Sequence, residues 1–307
     1  MKKEKITNAL LINRRRCVIA VIMCSLLCIL VFVAVIDQVL STPDAIVSEV
    51  GQKSFRMFTI LANMLMGVTA AMCIPFAVDG MRYRNYHLPR WVINLMYVGT
   101  NGVALTFLIA VTVLSPTTSY YRMMLYSNNI LFHTICPIMA IVLFLFINSD
   151  HKISIKASIL SVLPVVIYAL VYLIMVFAIG EESGGWRDHY QIRDITRTVP
   201  IYLLFPLLCL ICFGVSTLLR VIHNIIHKKR KADMERYYQE TFSYPDIESA
   251  IRALADIDRL HDMGGELTVP RRIMNMMEKK YISGLSTKEM CSIYIDEYFS
   301  TEADVNA

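Results

Sequence analysis

Residues 57–78 read MFTILANMLMGVTAAMCIPFAV, an apolar run with no formal charge. At about 1.5 Å of rise per residue it is roughly 33 Å long as a helix, enough to cross a hydrocarbon core of roughly 30 Å. It is not uniformly lipid-soluble. Thr59, Asn63 and Gly67 recur at four-residue steps with Arg56 three residues ahead, so the spacing predicts one helical face carrying all four. Polar groups at this depth are costly, and Gly lets a second helix come close, so that face is expected to look at a neighbouring helix.

Five further runs of the same kind lie at about 17–37, 91–114, 124–147, 157–179 and 201–226. The chain has 307 residues, 56% hydrophobic and 18% charged, which excludes an ordinary soluble domain. The fold expected is all-α: a polytopic six-helix transmembrane bundle with a small cytoplasmic helical tail. The divisions are a basic arm at 1–16, a membrane domain at 17–227 and a tail at 228–307. The first run has a basic start but is longer than a signal-peptide core, so it reads as a retained span.

Charge orders the spans. Lys2, Lys3, Lys5 and Arg14 to Arg16 precede the first; Arg82, Arg84 and Arg90 lie in the second connection; Lys152 and Lys156 in the fourth; Lys228 to Lys231 follow the last. With six crossings these segments share one side, which the positive-inside rule makes cytoplasmic, so both termini are expected inside a cell membrane. The net charge of +5 is therefore a matter of topology, and no nucleic-acid partner is expected. The longest outward connection, 180–199, holds Trp186, Asp188, His189 and Tyr190; a lid over the outer mouth and an unstructured tether are equally open readings.

The fourth run carries Asn129, His133 and Pro137 at four-residue steps. Pro137 has no N–H, which frees the carbonyl of His133 in an α-helical register. If this span starts at Ile130, His133 and Thr59 lie within about one turn of the same depth; if it starts at Met123, His133 sits roughly two turns deeper. A threonine hydroxyl beside an imidazole is a nucleophile with its base, the pairing needed for acyl transfer or ester hydrolysis. Asn63 or Asn129 is then the expected amide donor to the oxyanion, and Arg56 the expected partner of a substrate carboxylate. The blander reading makes Thr59 bond back to its own helix and the asparagines interhelical glue.

Phe58-Thr59 and His133-Thr134-Ile135-Cys136-Pro137 resemble the paired motifs of the androgen-induced-gene and ADTRP family of multi-span membrane proteins, its bacterial members above all. The resemblance covers roughly residues 17–227. It implies a threonine hydrolase of fatty acid esters of hydroxy fatty acids with Thr59 and His133 catalytic; no cofactor is expected, and membrane lipids are the expected partners.

Other features carry less. His223 and His227 have a spacing that can bind zinc, but they adjoin a basic cluster with no third ligand, so they are expected to cap the last helix and no metal is expected. His189 beside Asp188 ranks below His133 as an acid–base pair. Stretches 61–77 and 129–140 share a loose Asn, apolar, Cys/Ile, Pro pattern that suggests a duplication. In the tail, Ile247, Ile251, Leu254, Ile257 and Leu260 mark one helix face, and Ser286 with Glu289 forms a capping box, so it reads either as a small cytoplasmic helical bundle or as an arm for a cytoplasmic protein partner. The alternatives to a hydrolase are a transporter and a lipid-sensing adaptor. A carboxylate relay is missing, since Asp37 and Asp79 lie near span ends.

Overall fold

The structure is a computed structural model that describes residues 2–41, 50–83, 88–117, 119–147, 151–190 and 192–241. Among these residues there are helices and turns and no strand. Helix α1 is Lys2–Leu40 and α2 is Phe58–Tyr83; α3, Arg90–Ile109, runs through a π turn at Ala110–Leu114 into a last turn at Ser115–Thr117. The fourth helical stretch has α4, Cys136–Val142, between π turns at Leu131–Ile135 and Leu143–Ile147. Then come α5 (Ile155–Leu160), α6 (Leu163–Leu173, continued by a π turn to Ile179), α7 (Ile192–Thr198) and α8 (Ile201–Thr241).

Five helical segments are long and apolar enough to cross a membrane: Arg15–Leu40, Phe58–Asp79, Arg90–Leu114, Ile155–Ile179 and Ile201–Lys229. The chain is an all-α polytopic membrane protein. The fourth stretch is shorter, its apolar helix covering Leu131–Phe146. The expected run began at residue 124, but Tyr126 to Asn128 turn the chain, with Ser127 at φ +48°, before this helix starts. Polar Ser127, Asn128 and Asn129 break what hydropathy averages into one span.

Small residues set how closely α1, α2 and α3 pack. A Cβ on Gly67 would lie 3.0 Å from Val31 Cγ1 of α1, and one on Gly102 3.2 Å from Ala62 Cβ of α2. With no hydrophobic force between helices in lipid, such approaches supply the dispersion contacts that hold a bundle together. Cys17, Cys24, Cys73 and Cys136 are buried in the same core.

A second element of cohesion is polar. Tyr97 and Asn101 of α3 meet Ser158 and Ser161 of α5 and its following turn, and Ser216 and Cys212 of α8. The Tyr97 hydroxyl donates to Ser216 O at 2.7 Å and lies 2.9 Å from Ser158 Oγ, while Asn101 Nδ2 reaches Ser161 O at 3.2 Å and Cys212 Sγ at 3.4 Å. In hydrocarbon each group must find a partner inside the protein, so these bonds fix which helices adjoin.

The last helix departs from expectation. It passes residue 228 without a break and continues to Thr241, because KKRKADMERYYQE contains neither Gly nor Pro and is rich in helix formers. His223 and His227 are consequently buried inside the helix and do not cap it. His223 Nε2 lies 2.8 Å from His151 O and the ring stacks on Phe144 at 4.4 Å, joining α8 to the connection before α5. The tail features at 247–260 and at Ser286 and Glu289 lie outside the described residues.

Candidate functional site

Helix α2 starts at Phe58, so Thr59 stands in its first turn. His133 is the middle residue of the π turn Leu131–Ile135, directly after the Tyr126–Asn128 turn. Both residues therefore sit one turn inside their helices, the arrangement that follows from a start near Ile130. The contact between the two helices is made by Asn63, which has no exposed surface: its Nδ2 donates to Thr59 O at 2.8 Å and to Phe132 O at 3.2 Å. One amide group thus touches the backbone of Thr59 on one side and the residue before His133 on the other. Ala34 of α1, Ile60 of α2 and Phe132 form a small apolar cluster that joins the same two helices to α1.

Why Asn63 bonds to Phe132 follows from Pro137. In the π register each N–H reaches back five residues, as the Cys136 N–H does to Leu131 O. The next donor in that ladder belongs to position 137, where proline has none, so the carbonyl left open is that of Phe132. The α register predicted His133 instead. The π turn moves the vacancy by one residue, and the Asn63 amide fills it.

Asn63 Oδ1, and separately His133 Nδ1 on the residue after Phe132, are buried with no hydrogen-bond partner among the described residues. An unpaired buried acceptor or donor costs about 1–3 kcal/mol, so each marks a position where the packing leaves a polar group to be explained.

The remaining candidate residues fall elsewhere or are already engaged. Both Nδ2 bonds of Asn63 go to carbonyls, and Asn129 Nδ2 donates to Arg122 O at 2.9 Å, closing the turn before its own helix. Neither amide is aimed at an oxyanion. At the start of α2 the Phe58 N–H is taken by Tyr190 Oη at 3.0 Å, whereas the N–H groups of Thr59 and Ile60 have no acceptor within the helix. Arg56 does not share the α2 face: it ends the 3-10 turn Gly51–Arg56, and extended Met57 separates it from the helix. Its guanidinium lies 6.0 Å from the Trp186 ring centroid. Thr134, within the His-Thr-x-x-Pro pattern, donates to Met124 O at 2.8 Å and anchors the π turn. The suggested duplication is not mirrored in structure, since Pro75 lies within unbroken α2 while Pro137 follows a π turn.

Over the Thr59 end of α2 lies the connection from Gly180 to Tyr190, ordered as a strap that meets the Phe58 N–H through Tyr190, which does not fit an unstructured tether. Tyr168 and Tyr172, one turn apart on α6, hold it. Tyr168 Oη donates to Arg56 O at 2.7 Å; Tyr172 Oη donates to Asp188 Oδ1 at 2.7 Å and accepts from Tyr190 N at 3.2 Å. Asp188 also accepts from the Ile192 and Arg193 N–H groups at 2.9 and 2.7 Å, capping α7. Its carboxylate is therefore structural and the Asp188–His189 pair is not an acid–base couple. Gly185 seats the strap, because a Cβ there would collide with the Met175 carbonyl oxygen. Tyr168 and Tyr172 escaped the sequence reading; their four-residue spacing on an apolar run was the available signal, as it was for Tyr97 and Asn101.

Compared with protein-family models, curated proteins and solved structures, the chain matches none.

Proposed function

We propose that the chain is an integral-membrane hydrolase of lipid esters, of the type that joins a fatty acyl group to a hydroxy fatty acid. Thr59 is the nucleophile, His133 its base, and the site opens toward the outer leaflet. The observation that carries this reading is the Asn63 amide, bonded at once to Thr59 O and Phe132 O, with an unpaired imidazole nitrogen on the next residue. The resemblance of Phe58-Thr59 and His133 to Pro137 to the threonine hydrolase motifs points the same way.

In this mechanism His133 takes the Thr59 hydroxyl proton as Oγ1 attacks the ester carbonyl. The oxyanion is met by the backbone N–H groups of Thr59 and Ile60 at the positive end of α2, in place of the asparagine amides. Collapse breaks the ester bond; His133 returns the proton to the departing alkoxide, and water then releases the acyl group from Thr59. Arg56, beside Trp186 at the same end, is placed to receive a carboxylate of an amphiphile whose chain lies in the bilayer. The orientation is the charge-ordered one, with Leu131–Phe146 as a short sixth crossing and both termini in the cytoplasm.

A second reading is a transporter or lipid scaffold. It is favoured by the break between α5 and α6 at Ser161 and by Asn101 Oδ1 beside it, buried with no partner among the described residues. Purified protein in detergent with a fluorogenic acyl ester separates the two. Thr59→Ala and His133→Ala are expected to lose turnover at least about 100-fold, the scale of positioned acid–base catalysis, while Thr59→Ser keeps activity. Unchanged turnover in folded Thr59→Ala removes the hydrolase mechanism.

A further inference from the structure

We propose that the Gly180–Tyr190 strap is an acid-released lid over the Thr59 end of α2, lifted by protonation of His189. The proposal rests on reading Thr59 as the site beneath it. The geometry begins with the His189 ring, which packs against Tyr172 at 4.9 Å and Tyr190 at 4.4 Å between ring centroids. Nδ1 lies 3.2 Å from Arg187 O, and Nε2 is sealed from solvent with no partner among the described residues. A neutral ring suits this place: Nδ1–H donates to the Arg187 carbonyl and Nε2 remains a bare acceptor. A second proton would put an N–H with no acceptor into an aromatic wall.

The groups around the ring do not rescue the cation. Tyr172 and Tyr190 are neutral phenols, and the Arg56 charge opposes protonation. Asp188 favours it, but its oxygens are already committed to Tyr172 Oη and the two α7 amides. Burial is the largest effect and pulls the His189 pKa from 6.5 down to about 4, with the Arg187 carbonyl and Asp188 working against it and Arg56 with it. The seated strap therefore holds its stability above pH 6.5 and loses it as pH falls toward 4. Two-state linkage between these values raises the open-to-closed ratio about 20-fold at pH 5 relative to pH 7, toward a limit of about 240-fold.

The strap releases as a unit because its bonds are shared. Tyr190 Oη holds the Phe58 N–H, next to Thr59, and Tyr190 N holds Tyr172 Oη, so displacing His189 withdraws the residue that caps α2. Trp186 reports the event. Its ring lies 6.2 Å from Tyr172 and 6.5 Å from Tyr168, and the chain has only one other tryptophan, Trp91, at the opposite end of antiparallel α3.

The test is a Trp91→Phe protein in lipid nanodiscs, titrated from pH 8 to pH 4, with Trp186 emission, iodide quenching and far-UV circular dichroism followed together. A red shift with rising quenching at constant helicity, its midpoint between 4 and 6.5, is expected; His189→Phe and His189→Gln should flatten it and Thr59→Ala should leave it intact. The same transition in both His189 variants, no transition, or one that coincides with loss of helix overturns the proposal. A protein inert toward esters that still shows the His189-dependent transition keeps the lid and discards the hydrolase.

Discussion

If Asn63 supplies the donor that Pro137 cannot, removing the amide should be costly only while the proline is present. Phe132 is 3% exposed and its carbonyl receives Asn63 Nδ2 at 3.2 Å. Asn63→Leu strands that carbonyl at about 1–3 kcal/mol, offset in part because the unpaired Asn63 Oδ1 disappears as well. Pro137→Ala returns an N–H to position 137, able to reach Phe132 O by the same five-residue step that Cys136 makes to Leu131 O. In the Pro137→Ala background Asn63→Leu strands nothing, while the Oδ1 contribution is the same in both backgrounds and cancels. The double-mutant cycle therefore isolates the shared carbonyl. The double variant should be about 1–2 kcal/mol more stable than the sum of the single changes predicts. Reversible unfolding in mixed micelles, followed by circular dichroism, measures all four corners. Additivity within about 0.5 kcal/mol would refute the account of why α2 meets the π turn at Phe132.

Three further outcomes are expected. Tyr97→Phe removes the hydroxyl that serves Ser158 and Ser216 and should lower stability by about 1–3 kcal/mol in the same unfolding assay, with ester turnover per folded molecule unchanged. Gly67→Val places a Cβ about 3.0 Å from Val31 Cγ1, so it should destabilise by about 1–3 kcal/mol and be largely rescued by Val31→Ala; failure of the rescue would mean that the α1–α2 contact is misplaced. Gly185→Ala cannot seat the strap against Met175 O, and limited proteolysis should cut between residues 180 and 190 faster than in the wild type while the helices stay intact.

The span pattern was legible because it depends on local quantities. Run length and the absence of charge are properties of a segment, and the bilayer filters them without reference to partners. Thr59 and His133 stood out for the same reason, as polar groups inside apolar runs. The fourth run shows where this reasoning stops. Hydropathy averaged over residues 124–147 concealed the turn at Ser127, which exists because Asn129 and Thr134 fold back to Arg122 O and Met124 O.

What only the tertiary structure decided is which groups meet. A π turn is one residue wider than an α turn, and this moved the open carbonyl from His133 to Phe132, engaged Asn63 with it and so took the amide away from any oxyanion role. Arg56 left the α2 face because the helix begins two residues later than periodicity implied. Sequence spacing specifies directions along one helix, whereas the partner of a buried donor depends on rotation and depth between helices. Those are set by small-residue contacts at Gly67 and Gly102 and by hydrogen bonds that span residues 97 to 216. Composition and periodicity thus determined a membrane-embedded helical chain with Thr59 and His133 as polar groups within its apolar runs. Packing determined that Asn63 joins the two helices of that pair and that a tyrosine-anchored strap covers the α2 end.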